Sequence, residues 1–191
     1  MKSIISHINR YVTLTFSEES MISSSVKVID LKKRTLLLKE GDVCKNIYYV
    51  SDGLLRTFIP LENGTEQTTQ FAISDWWITD FSNFLRQAKT NSSIQALEDS
   101  RIFSLTYADY DRLTQQIPSL NIYFRIVFEK ILAALQNRNA FLLTHSGESF
   151  YNFFIEQLPD FTQRIPQYIL ASYLGISPEF LSKIRRKQSN K

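Results

Sequence analysis

The 191 residues predict an α+β chain: an N-terminal antiparallel β-roll, one long helix, and an all-α C-terminal part that ends in a helix-turn-helix. Three observations predict it. Between Val26 and Leu105, short β-rich runs are separated by Glu40-Gly-Asp42, Ser51-Asp-Gly53 and Glu62-Asn-Gly64, the punctuation of tight turns in an antiparallel barrel or roll. From Leu120 to Thr144 no glycine or proline interrupts a helical pattern. Between Ile165 and Lys187, two short amphipathic segments meet at Leu174-Gly-Ile176, and the second ends in a basic cluster.

Taken in order, residues 3–11 predict a short helix, and a second starts at Ser17, read as its N-cap, with Glu18 and Glu19 complementing the dipole in its first turn. The predicted strands are Thr35–Leu38, Ile47–Val50, Leu54–Ile59, Glu66–Ile73, Ser93–Leu97 and Arg101–Leu105. Tyr107–Gln116 predicts a helix that stops at Ile117-Pro118. In the long helix, Leu120, Phe124, Val127, Ile131 and Ala134 recur at alternating spacings of four and three, a coiled-coil-like seam that predicts a homodimer interface and weakens at Arg138; a helix packed on its own domain is the alternative. Gly147–Leu158 predicts a helix whose Phe150, Tyr151, Phe153 and Phe154 pack a core, with Pro159 just beyond it. The expected division is a β-roll with flanking helices over 1–118, the long helix over 119–145 and the helix-turn-helix domain over 146–191.

The helix-turn-helix expectation rests on several positions of different character. Ala171 stands four residues before Gly175, where two crossing helices touch and only a small side chain fits. Gly175 supplies the positive φ of a sharp turn. Ile176, Leu181 and Ile184 are the apolar positions that pack the second helix on the first, so that its outer face is free for a DNA major groove.

Charge and composition narrow the classes. The net charge of +3 names no partner, but from Phe161 to Lys191 six basic residues face Glu179 alone, so the positive footprint lies at the C-terminal end. Cys44 is the one cysteine, which excludes a disulfide framework and a thiolate metal cluster. His7 and His145 are too scattered to suggest haem, so neither metal nor cofactor is expected. No segment approaches the roughly 20 apolar residues of a membrane span, and the apolar stretch after Met1 is too short for a signal peptide. The expectation is a cytoplasmic protein without a membrane partner. No phosphate-binding glycine loop, H-E-x-x-H motif or nucleophile–base pairing points to an enzyme.

Lys39-Glu-Gly-Asp42, Asp52-Gly-Leu-Leu-Arg56, Ala96-Leu-Glu-Asp-Ser100 and Ala171-Ser-Tyr-Leu-Gly-Ile-Ser177 together resemble the Crp/Fnr family of bacterial transcription regulators, over about residues 20–187 and most closely its short Bacteroidetes-like members. The resemblance implies a cyclic-nucleotide-binding-like β-roll (a double-stranded β-helix) that senses a small molecule, and a homodimer on a two-fold symmetric double-stranded DNA site. The cyclic-AMP pattern of that family is not kept. Thr79-Asp80 stand at the place of its Gly-Glu pair and Thr90-Asn91 at the place of its Arg-Ser pair. Asp80 could still accept from a ribose hydroxyl, but neither Thr90 nor Asn91 offers a cation for a phosphate, so tight cyclic-AMP binding is not expected. Trp77, Thr79, Asp80, Phe81, Thr90 and Asn91 form the candidate effector pocket, its ligand unknown or absent. Trp77 and Phe81 also read simply as core and cap of the roll.

On the second helix, expected over Pro178–Lys187, the outward positions Glu179, Ser182 and Lys183 are the base-reading candidates. Glu179 can accept from a cytosine amine and Lys183 can donate to guanine. Aligned to the family, Pro178, Glu179 and Lys183 stand at the base-reading places, and Pro178 cannot contact a guanine. Gln167, Tyr168, Ser177, Arg185, Arg186 and Lys187 are the phosphate-contact candidates. The resemblance also implies a β-hairpin wing after this helix, and the sequence ends at Lys191 without one. The alternative is a ligand-binding β-roll that acts through a protein partner, with degenerate DNA binding.

Overall fold

In the computed structural model, residues 2–189 are described; Met1, and Lys191 with its share of the basic tail, lie outside the described residues. The elements in chain order are α1 (Lys2–Ile8), α2 (Phe16–Ser25), β1 (Lys27–Leu31), β2 (Leu36–Leu38), β3 (Asn46–Asp52), β4 (Leu54–Pro60), β5 (Glu66–Ile73), β6 (Trp76–Ile78), α3 (Phe81–Arg86), β7 (Ser93–Ala96), β8 (Ser100–Thr106), α4 (Tyr107–Gln116), α5 (Ser119–Thr144), α6 (Gly147–Gln157), α7 (Pro159–Arg164), α8 (Gln167–Leu174) and α9 (Pro178–Ser189). The mixed α+β class, the antiparallel roll, the long helix and the C-terminal helix pair agree with the sequence expectation. The strands form two four-stranded sheets, β1-β8-β3-β6 and β2-β7-β4-β5. In the first, β8 lies between β1 and β3, with Leu31 opposite Ser100 and Tyr49 opposite Phe103.

Four elements were not marked in advance, and each has a local reason. β1 is a charged edge strand whose one buried residue is Leu31, so it lacks an apolar alternation. β6 has three residues and follows a turn without glycine; Asp75 takes φ 71° there instead. The short helix α3 is capped by Asp80, whose side chain accepts from the Asn83 N–H. Pro159 opens α7 at its first positions, where a missing N–H is harmless, rather than merely closing α6. One cap is corrected: α2 begins after Thr15, not at Ser17. Thr15 and Glu18 form a reciprocal capping box, with the Thr15 N–H donating to Glu18 Oε2 at 2.7 Å and the Glu18 N–H to Thr15 Oγ1 at 3.3 Å. Ser17 has no acid three residues on, which is why the box selects Thr15.

The chain packs into two compact units that do not follow the chain linearly: one holds the residues up to Thr57 with Phe71–Ile131, the other Phe58–Gln70 with Leu132 onward. The core of the first unit joins Ile4 and Ile8 of α1 to Ile47 and Tyr49 of β3, Phe103 of β8, Leu113 of α4 and Tyr123 and Phe124 of α5. At its centre the Trp77 indole N–H donates to the Tyr123 hydroxyl at 2.7 Å, and His7 Nδ1 lies 2.8 Å from the same oxygen. The Tyr123 oxygen thus serves both the Trp77 N–H, which donates to it, and the His7 ring nitrogen, with which it shares a second hydrogen bond. Burial is the main cause that holds the His7 pKa below its ordinary value. Beside this group Asp75 accepts from Tyr49 Oη and from the Arg10 guanidinium, each at 2.6 Å, which fastens the segment after α1 to the roll. Cys44 is fully buried, 3.2 Å from the Thr79 hydroxyl, and burial pushes its thiol pKa up.

Candidate DNA-reading helix pair and β-roll pocket

In the second unit, Ile169, Leu170, Ala171 and Leu174 of α8 and Leu181 and Ile184 of α9 are buried together. Gly175 turns the chain between the helices with φ 71°, and its N–H donates to the carbonyls of Ala171 and Ser172. Ile176 N–H returns to the Ala171 carbonyl at 3.1 Å, which completes a left-handed helix cap. Gly147, at the start of α6, is what lets Ile176 settle: a Cβ there would lie 2.2 Å from Ile176 Cγ2. The turn residues singled out in the sequence thus act together in one local structure.

Outside this core, Glu179 and Lys183 are exposed and Ser182 is half-buried on the face of α9 away from Leu181 and Ile184. Ser177 caps the helix, its hydroxyl accepting from the Phe180 N–H at 3.1 Å. The Glu179 backbone N–H first, and then the Ser177 hydroxyl, hold the Glu179 carboxyl below its ordinary range, so it is ionised and ready to accept. Arg185, Arg186 and Lys187 are exposed, and Lys187 reaches Glu148 of α6 at 3.3 Å. Gln167 and Tyr168 are exposed in the first turn of α8. One outward residue was missed by the sequence reading. Phe180, between Glu179 and Lys183, is 43% exposed, and an apolar residue carries no hydrogen-bonding signal for base reading.

A long-range feature of the same unit had no sequence signal. The β4–β5 hairpin docks on α8 through Ser172. Its hydroxyl donates to the Glu66 carbonyl at 2.6 Å and accepts from the Thr68 N–H at 2.7 Å, while the Gln67 side-chain amide donates to the Ser172 carbonyl. Arg138 of α5 completes the clasp, donating to the carbonyls of Thr68 at 3.1 Å and Tyr173 at 2.9 Å and lying 4.6 Å over the Tyr173 ring. Arg138, read from sequence as the residue that weakens a seam, binds α5 to this unit.

The candidate pocket residues are tied to the chain itself. Trp77 bonds Tyr123, and the buried Thr79 hydroxyl donates to the Asn46 carbonyl at 2.8 Å. Both Asp80 oxygens are engaged: Oδ1 by the Asn83 N–H at 3.2 Å, Oδ2 by the Asn83 amide and by the Thr90 hydroxyl, each at 2.7 Å. Burial pushes the Asp80 carboxyl up, but those bonds outweigh it and leave the pKa below its ordinary value. Phe81 stacks edge-on against Phe128, centroids 5.4 Å apart, and Asn91 is exposed. Arg86, the last residue of α3, bonds Ser82 of its own helix. Trp77, Asp80 and Thr90 therefore work as core, cap and cap partner, respectively.

The seam assignment is corrected. Leu120, Phe124, Val127 and Ile131 are buried in the chain's own core, where the Phe124 ring lies 5.4 Å from Trp77 and 4.9 Å from Tyr110. An apolar stripe states that a helix face is covered, not by what, and here the roll covers it. Ala134 is exposed. Elsewhere α5 leaves Ile122, Leu132 and Leu135 exposed, with an Arg125–Glu129 ion pair at 2.7 Å on its surface.

The chain thus joins an antiparallel β-roll to a helix-turn-helix, and comparison with known proteins bears on this combination. Residues 28–117 match the family model for a cyclic nucleotide-binding domain. The chain is similar to the transcriptional activator protein Anr of Pseudomonas protegens, 25% identical over 168 residues that cover 81% of this chain and 67% of that one. It is likewise 25% identical, over 84% of this chain and 68% of the other, to the fumarate and nitrate reduction regulatory protein of Yersinia pestis. Among solved structures, the c-di-GMP responsive global regulator CLP of Xanthomonas campestris superposes with a TM-score of 0.74 at 14% identity, covering 92% of each chain. The matched domain spans just under half of the chain, and the relatives that the chain resembles along most of its length are transcription regulators. Among the described residues no helix is long and apolar enough to cross a membrane.

Proposed function

We propose that the chain is a cytoplasmic DNA-binding transcription regulator that acts as a homodimer on a two-fold symmetric site, with α9 in the major groove. The observation that carries this reading is the α8–Gly175–α9 unit. Its apolar residues are buried inward, while Glu179, Lys183 and Arg186 are left exposed on the other face of α9. Glu179 and Lys183 read base edges with Ser182 between them, and Arg185, Arg186, Lys187, Gln167, Tyr168 and Ser177 are placed for phosphates. The dimer forms through the exposed side of α5 rather than through Leu120, Phe124, Val127 and Ile131. A gel shift with duplex DNA from the region upstream of the chain's own gene tests the reading. Lys183→Ala is expected to cost about 1–3 kcal/mol at its preferred base and to relax preference there. Arg186→Ala is expected to weaken all sequences alike and to lower the salt slope by about 1. Equal losses from both variants on every sequence would remove the base-reading assignment.

The β-roll serves an effector other than cyclic AMP, or none. Asp80 is already bonded by Asn83 and Thr90, and Thr90 and Asn91 bring no cation for the cyclic phosphate. Titration calorimetry with cyclic AMP should show no heat of tight binding; a micromolar or tighter affinity would overturn this.

A further inference from the structure

We propose that Phe180 is a further specificity-determining residue, which recognises the 5-methyl group of a thymine at the edge of the sequence read by α9. The inference rests on the DNA-binding reading above and adds an apolar contact to its polar ones. A phenylalanine that served only the helix pair would be covered, as Leu181 and Ile184 are at 0% and 3% exposure; Phe180 remains 43% exposed. It has no ring partner among the described residues, so no internal stacking accounts for it. Its backbone is fixed, because the Phe180 N–H is the donor that the Ser177 cap accepts, so the ring leaves the first turn of α9 from a defined place.

That place is within the proposed reading surface. Phe180 is three residues before Lys183 and next to Glu179, and residues three and four apart on a helix share a side. By that spacing Phe180 neighbours Lys183 on one side and the buried Ile184 on the other, so it lies at the edge between the packed and outward faces, with the exposed Lys187 along the same edge and Arg185 at the opposite one. Lys187, a phosphate candidate, brings the DNA backbone to this edge, while Lys183 reads a base beside it. The helix N-terminal residues are those that reach base edges when a recognition helix enters the groove. In the major groove only thymine presents a methyl group, and an apolar side chain is the partner that suits it. Glu179 and Lys183 discriminate by donor and acceptor, which leaves the thymine methyl group unread; Phe180 fills that gap.

The test uses the full chain and duplexes selected by it from a random pool. Thymines of the enriched site are replaced one at a time by deoxyuracil, which removes only the methyl group. At one position in each half-site the wild-type protein should bind about fourfold more weakly, the effect of one buried methyl group. In Phe180→Ala the same replacement should have no effect, and its own selected site should no longer favour thymine there. Phe180→Leu, which keeps an apolar side chain and the helix packing, should retain a reduced methyl preference. Wild-type binding that is indifferent to every deoxyuracil replacement would overturn the proposal, as would undiminished methyl sensitivity in Phe180→Ala. If no sequence is enriched at all, the DNA-binding reading falls and takes this inference with it; enrichment without methyl sensitivity removes the Phe180 role alone.

Discussion

Gly53→Ala is expected to destabilise the β-roll by about 4 kcal/mol, the sum of backbone strain and overpacking. Gly53 joins β3 to β4 with φ 112°, a region that side chains rarely adopt. A Cβ there would lie 2.1 Å from Ser100 Oγ and 2.8 Å from Ser100 Cα. The second distance decides the size of the effect, since a hydroxyl can rotate away and a backbone atom cannot. Ser100 is also held in place: its hydroxyl donates to the Glu98 carbonyl at 2.8 Å, and the Leu54 N–H donates to that hydroxyl at 3.3 Å. Gly41→Ala is the matching control, with φ 86° but nothing within 4 Å of the added atom, and should cost only about 1–2 kcal/mol. Both tryptophans of the chain lie in β6, so urea unfolding followed by tryptophan fluorescence reports on the roll. Equal midpoints for the two variants would contradict the argument.

Tyr123→Phe should cost about 3 kcal/mol although it removes a single oxygen. That oxygen accepts from the Trp77 N–H at 2.7 Å and faces His7 Nδ1 at 2.8 Å, and all three residues are buried. Phenylalanine leaves the Trp77 N–H and the His7 ring nitrogen unpaired away from water, and the cost belongs to those stranded groups more than to the bond lost. The double variant His7→Leu/Tyr123→Phe separates the two contributions. Removing the stranded imidazole should return part of the loss, so that the pair costs less than the sum of its single changes. Additive losses would show that the hydroxyl and imidazole do not act together.

Much of the candidate site was legible because its turn allows few alternatives. Ala171, Gly175, Ile176, Leu181 and Ile184 each meet a separate steric demand, and they lie within fourteen residues of one another. The strand Glu66–Ile73 and the helix Tyr107–Gln116 were legible for the same reason, being bounded by their own turn and stop residues. What stayed hidden depended on distant partners. The stripe from Leu120 to Ile131 announced a covered face without saying that Trp77 and Tyr110 cover it. Asp80 looked like a ligand-binding carboxylate until Asn83 and Thr90 were seen against it. Phe180, which no local pattern singled out, is an apolar residue that tertiary packing leaves 43% exposed.

The Ser172 clasp bears on how this chain can be divided. The candidate DNA-reading unit is assembled from two separate stretches, and the hairpin segment Phe58–Gln70 belongs to it as fully as the helices do. A fragment that begins in α5 and keeps only the C-terminal helices would present the Ser172 hydroxyl without its Glu66 and Thr68 partners and Arg138 without one of its acceptors. Exchanging C-terminal halves between relatives would break the same bonds unless the hairpin travelled with them. What must be kept together is a unit that is continuous in space and interrupted in sequence.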